Sequence, residues 1–177
     1  MAHRRRPSPG IPAGLRFCLL FLAWLAAIAV AFHLAEPVLA RVSMYPVSRA
    51  AAWLLGGLGV PAALDAGGLE AGFCDLRIDG SVYRIIHECT GIFALLVLCA
   101  LVLGFPTSAA RKVQGIAMAV PAFAVYSTLR LVCLGLVAQV APAWVDLVHR
   151  YLMVLVNLGF LLSLWLYWLT RQTPGDT

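Results

Sequence analysis

Charge is scarce in this chain: of its 177 residues 12% are charged, against 62% that are hydrophobic, and the mean hydropathy is +0.91. A soluble domain cannot be built from so little polar surface, so the sequence reads as a polytopic membrane protein. The formal net charge of +5 would suggest a nucleic-acid partner in a soluble chain. No basic patch interleaved with aromatics is present, so no nucleic acid is expected, and the basic residues take their meaning from their position beside apolar runs facing membrane lipids. Cysteine pairing motifs are also missing. The five cysteines, Cys18, Cys74, Cys89, Cys99 and Cys133, form no CxxC pair and no metal-ligand spacing, so nothing calls for a metal or another cofactor. Cys18, Cys99 and Cys133 lie in apolar runs, where a free thiol packs as a small hydrophobe.

Residues 1–14 form a basic tail containing Arg4, Arg5 and Arg6, expected on the cytoplasmic side. Residues 15–34 are the first stretch long enough to span a bilayer. A cleavable signal peptide is the alternative, with Ala29-Val30-Ala31 as the cleavage site, and either outcome leaves the following segment outside. That segment, residues 36–88, holds most of the acids. Inside it, residues 47–58 carry Arg49 and are bounded by Pro46 and Pro61, which suits an amphipathic helix in the outer interface; a second span is the alternative and would reverse everything downstream. Alternating residues on either side of Asp79-Gly80 predict a two-residue β-hairpin.

Three more spans are expected at residues 89–110, 113–139 and 149–169, with a kink at Pro121 and Asp146 as an N-cap, before a short tail at 173–177. Arg4, Arg5, Arg6, Arg111, Lys112 and Arg171 then share one side. The expected fold is an all-α integral membrane protein, a single domain over residues 15–172. It has about four transmembrane helices, an interfacial amphipathic helix and a small exoplasmic β-hairpin.

The inner basic residues act as a ruler. Cys89 and Arg130 are 22 and 19 residues from Arg111, and His149 is 22 residues from Arg171, which at the helical rise corresponds to about 33, 28 and 33 Å. All three residues reach the outer boundary. Singly, each has an ordinary reading: Cys89 is structural or disulfide-bonded to Cys74, Arg130 snorkels to headgroups, and His149 is an interfacial residue. Together they provide a thiolate, an imidazole to move protons and a permanent cation for a developing oxyanion, which are the needs of acyl transfer. A helix beginning at Cys89 would favour its thiolate and would offer the N–H groups of Thr90 and Gly91 to the oxyanion. Glu88 or Asp146 would orient the imidazole.

At these residues the chain resembles the exosortase/archaeosortase family of membrane-embedded cysteine transpeptidases. The resemblance rests on Glu88-Cys89-Thr90-Gly91 opening a span, Phe105-Pro106 and Arg111 closing it, Leu129-Arg130 late in the next span and His149 opening the last. One departure is Ser127, where the family usually has asparagine three residues before the arginine. The resemblance implies a bacterial inner-membrane enzyme, or an archaeal counterpart, that cuts secreted proteins bearing a tripartite C-terminal signal: a short motif, a transmembrane helix and a basic cluster. Cys89 would form a thioester, His149 would serve as acid and base, Arg130 would stabilise the oxyanion, and the new C-terminus would pass to an acceptor amine. Two rival readings are a non-catalytic assembly or carrier subunit in which Arg130 pairs with a partner's carboxylate, and a thiol-disulfide enzyme using Cys74 and Cys89.

Overall fold

The computed structural model describes residues 12–171; Arg4, Arg5, Arg6 and the tail after 171 lie outside them. The described residues are mostly helical, with one small sheet. Three helical stretches are long and apolar enough to cross a membrane: α1 (Ala13–Leu34), α4 (Ala109–Val140) and the path Pro142–Thr170, which ends in α5 (Met153–Thr170). Between α1 and α4 lie α2 (Tyr45–Gly57) and α3 (Ile92–Gly104). Residues 89–110 do not form the single helix expected of them. Helix α3 has 13 residues, about 20 Å of rise, because Gly91 at its start adopts a left-handed conformation (φ 69°) and Phe105 at its end is extended.

Side-chain pairs fix the helix directions. Along α1 and α3, Phe21 meets Gly104 while Phe32 meets Phe93, so the two helices are antiparallel. Helix α4 returns against α3, with Lys112 Nζ donating to Leu103 O at 2.6 Å. Helix α5 runs against α4, with Trp168 Nε1 donating to Arg111 O at 3.2 Å and Tyr126 stacked on Phe160 at 4.4 Å. Close approach is achieved with glycine: a Cβ on Gly104 would lie 3.0 Å from the Phe21 backbone N, and one on Gly115 would lie 2.7 Å from Trp168 Nε1. Ala94, Leu98, Val102, Ala119, Phe123, Leu161 and Trp168 form the core between these helices. Arg111, Lys112 and Arg171 lie at one end of the bundle, where Arg111 and Arg171 border a common small cleft. Helix α4 continues through Pro121, whose missing N–H removes one ladder bond without ending the helix.

The sheet closes the opposite end. Strands β2 (Phe73–Ile78) and β3 (Ser81–Ile86) form the predicted hairpin. Asp79 (φ 48°) and Gly80 (φ 78°) both occupy the left-handed region, as the twist of a two-residue hairpin requires. A third strand, β1 (Ala62–Asp65), pairs antiparallel with β2, so the hairpin is part of a three-stranded sheet with order β1-β2-β3. Leu76, Ile78 and Ile85 pack with Met44, Val47, Ala51 and Leu55 and with Leu131 and Val132 of α4. Helix α2 stands where the amphipathic helix was expected, but its faces do not divide by polarity. It buries Val47, Ser48, Ala51, Ala52 and Leu55 and leaves Trp53 76% exposed. Pro46 stands in its first turn rather than before it, where an absent N–H has no helical partner to lose.

Candidate functional site

From Ile86 the chain leaves β3 and makes a 3-10 turn, His87–Thr90, before Gly91 redirects it into α3. Cys89 therefore sits on a turn two residues before the helix cap Gly91, not at the first residue of the helix. The Gly91 N–H already donates to Glu88 O at 3.3 Å, so it is engaged within the turn rather than pointed at a substrate. The hydroxyl of Thr90 donates to His87 O at 2.7 Å. The carbonyl of Thr90 accepts from the hydroxyl of Ser127. Ser127 is thus one of the hydrogen-bonding ties between α4 and the turn that carries Cys89.

One turn further along α4, Arg130 is 7% exposed. Its Nη1 donates to Glu88 O at 3.4 Å, and its Nε is buried without a partner. Tyr126, four residues before it on the same helical face, has a buried hydroxyl in the same condition, and so does Oδ1 of Asn157 on α5. All three side chains gather at Gly91. A Cβ there would lie 3.2 Å from Asn157 Oδ1, 3.7 Å from Arg130 Nη1 and 3.7 Å from Tyr126 Cε1. The absence of a side chain at Gly91 leaves room for this polar cluster under the Cys89 turn.

On the other side of the turn is a cavity of about 380 Å³ lined by Cys89 and His149 together with Arg84, Ile85, Leu131, Val145 and Asp146. Residues 60 positions apart thus face one space. His149 is half-buried and lies in a stretch of π-helix, Val148–Leu152. Such local widening of a helix is frequent at functional sites, because it turns a side chain away from the regular spiral. Arg130, Asp146 and Glu88 are all close enough to act electrostatically on His149. Asp146 is not an N-cap: it lies inside the short helical turn Val145–Leu147, and its carboxylate accepts from Arg150 Nε at 2.5 Å. The Glu88 side chain is exposed, while its carbonyl serves Arg130 and Gly91. The structure therefore places Cys89 and His149 on one cavity. Arg130 stands directly behind the Cys89 turn rather than in the cavity wall.

Cys74 is a free thiol, as is Cys89. It is completely buried and donates to Ser48 Oγ at 3.4 Å; burial pushes its thiol above the usual range despite that hydrogen bond. Two residues before Cys89, His87 is buried with both ring nitrogens unpartnered, edge-on to Phe32 at 5.3 Å. Burial lowers its pKa, and Glu36 opposes the shift. Arg84 on the cavity rim pairs with Asp75 at 3.0 Å and lies over the Phe73 ring. This pairing holds the Asp75 carboxyl below its usual range. Among the described residues no group of three or more His, Cys, Asp or Glu side chains is placed to hold a metal ion.

Asn157, Tyr126 and His87 are absent from the residues that sequence reasoning selects. Asn157 carried a readable signal, since it is an uncharged polar residue inside a long apolar run, and such residues are seldom left without a role in a membrane. Comparison with protein-family models, with curated proteins and with solved structures returns no match.

Proposed function

We propose that this protein is a membrane-embedded cysteine transpeptidase or peptidase acting through Cys89. The observation that carries the reading is the convergence of Cys89 and His149 on one cavity, with Arg130 hydrogen-bonded to the turn that presents the cysteine. In this reading Cys89 Sγ attacks the scissile carbonyl carbon while His149 accepts the thiol proton. The carbonyl oxygen becomes an oxyanion, and the fixed guanidinium of Arg130 supplies the positive field that stabilises it. Collapse breaks the C–N bond, His149 returns the proton to the leaving amine, and a thioester remains on Cys89. An acceptor amine, or water, then takes the acyl group and restores the thiol.

Four crossings complete the proposal. Helix α3 keeps pace with α1 from Phe32 to Phe17, so the stretch from Cys89 through α3 to the loop at 105–108 serves as the second crossing. Arg111, Lys112 and Arg171 then mark the cytoplasmic side, and Cys89 and His149 lie at the exoplasmic face of a bacterial inner membrane. The substrates are secreted proteins ending in a short motif, a transmembrane helix and a basic cluster, as the resemblance implies. The rival use of Cys74 and Cys89 as a redox pair is disfavoured by the enclosed, weakly acidic thiol of Cys74.

The test is conversion of a co-expressed reporter with such a tail, followed by mass and gel mobility. Alanine at Cys89, Arg130 or His149 should abolish conversion while leaving the protein in the membrane, and combined changes should add little. Arg130→Lys should be severely impaired, because lysine keeps the charge but loses the planar donor fork. Full activity of Arg130→Lys would instead fit a residue that snorkels to headgroups.

A further inference from the structure

Strand β3 lies at an edge of the sheet and runs directly into the Cys89 turn. Which of its backbone groups are free follows from the register. The pair Ile78↔Ser81 closes the two-residue turn, and the pairs Leu76↔Tyr83 and Cys74↔Ile85 follow at intervals of two. In an antiparallel ladder every second pair exchanges both hydrogen bonds, and the pairs between them point their N–H and C=O groups away from the partner strand. The closing pair of such a hairpin is hydrogen-bonded, so Val82, Arg84 and Ile86 direct their backbone groups outward. The groups of Val82 and Arg84 join no backbone bond outside the sheet among the described residues, while the carbonyl of Ile86 opens the 3-10 turn His87–Thr90 as its N-cap and leaves only the Ile86 N–H outward.

The cavity holding Cys89 and His149 is bordered by Val82, Tyr83, Arg84 and Ile85 in succession. Consecutive side chains on a strand point to opposite faces, so a space touched by four in a row runs along the edge of the strand, not over one face. Protected edges carry bulges, prolines or lysines. This one has Val82 58% exposed and Ile86 38% exposed, and its single cation, Arg84, is paired with Asp75.

We propose that the outer edge of β3 binds an extended polypeptide as an added fourth strand and leads it along the cavity to Cys89. Main-chain hydrogen bonds to Val82, to Arg84 and to the N–H of Ile86 give the affinity, and the cavity between β3 and the turns at 142–149 reads alternate side chains. This deepens the transpeptidase reading by assigning how its substrate is held. The binding mode itself does not depend on the thioester chemistry.

The experiment uses the full chain carrying Cys89→Ala in membranes, with a secreted reporter ending in a motif, apolar helix and basic cluster taken from a protein of the same genome. A photoreactive residue is placed in turn at each position of the motif. The expected result is cross-linking to β3 at every second position, the period of a strand. Val82→Pro removes one outward N–H and should weaken the cross-links about 3- to 10-fold, the range for one lost hydrogen bond. Val82→Ala, which keeps the N–H, should change them little. Tyr83→Pro removes a ladder N–H and reports what disruption of the hairpin itself does; if Val82→Pro also unfolds, the period of cross-linking decides alone. Cross-links without alternation, indifference to a folded Val82→Pro, or a product joining two copies of this chain through β3 would overturn the proposal. Catalysis is absent in this background, so the pattern reports binding only, and processing by the unmodified chain reports the thioester reading separately.

Discussion

Ser127→Ala removes the hydroxyl that ties α4 to the Thr90 carbonyl, and this carbonyl belongs to the turn presenting Cys89. Ser127 is 4% and Thr90 3% exposed, so no bulk water replaces the donor. A buried acceptor left without its partner costs about 1–2 kcal/mol, a shift of roughly 5- to 30-fold in the equilibrium between docked and released turn. Cys89 is 9% exposed when the turn is docked, and release exposes it. In a background where the other four cysteines are replaced, alkylation of Cys89 by a small impermeant thiol reagent should accelerate by a factor in that range. Ser127→Asn, which offers an amide donor, should restore part of the protection. An alkylation rate unchanged by Ser127→Ala would refute the claim that this hydrogen bond holds the turn.

Acidification should destabilise the end of the bundle that carries the sheet through His87. Its folded pKa is lowered by burial, so its stabilising share is complete above the ordinary histidine value of about 6.5 and is lost as pH falls towards the folded value; melting in detergent should show this, and His87→Leu should flatten it. Cys74→Ala should leave reporter processing intact, and loss of processing at normal expression would favour the redox pair. Single cysteines at positions 89 and 149 should react with an impermeant reagent on intact cells while one at position 111 stays protected, and the reverse pattern would overturn the four-crossing topology.

The long elements were legible because their signal is an apolar run long enough to cross a bilayer. The apolar run at 15–34 became Ala13–Leu34, and that at 113–139 became Ala109–Val140. The hairpin was legible because Asp79-Gly80 suits two consecutive left-handed residues. Strand β1 was not, since Ala62-Ala63-Leu64-Asp65 contains no β-branched or aromatic residue and owes its conformation to pairing with β2. Helix α3 was misplaced because apolar composition continues from Ile92 to Phe105 without showing that Gly91 would turn left-handed and shorten the helix. That same turn altered the reading of the site: the helix-terminus argument for Cys89 gives way to a turn held by Ser127 and Arg130. The shared depth of Cys89, Arg130 and His149 was an expectation from helical rise, and for Cys89 it assumed an unbroken helix that Gly91 and Phe105 interrupt. The gathering of Asn157 and Tyr126 beneath them depends on how α4 and α5 pack, which no spacing in one chain reveals.

The central claim is that Cys89 carries the acyl group, and intact mass analysis of the protein purified after co-expression with a tripartite-tailed reporter tests it most directly. The account predicts a hydroxylamine-labile adduct on Cys89 whose mass equals the reporter up to the cleavage point, absent from Cys89→Ala. Conversion of the reporter to its shortened form by Cys89→Ala at the unmodified rate would contradict it.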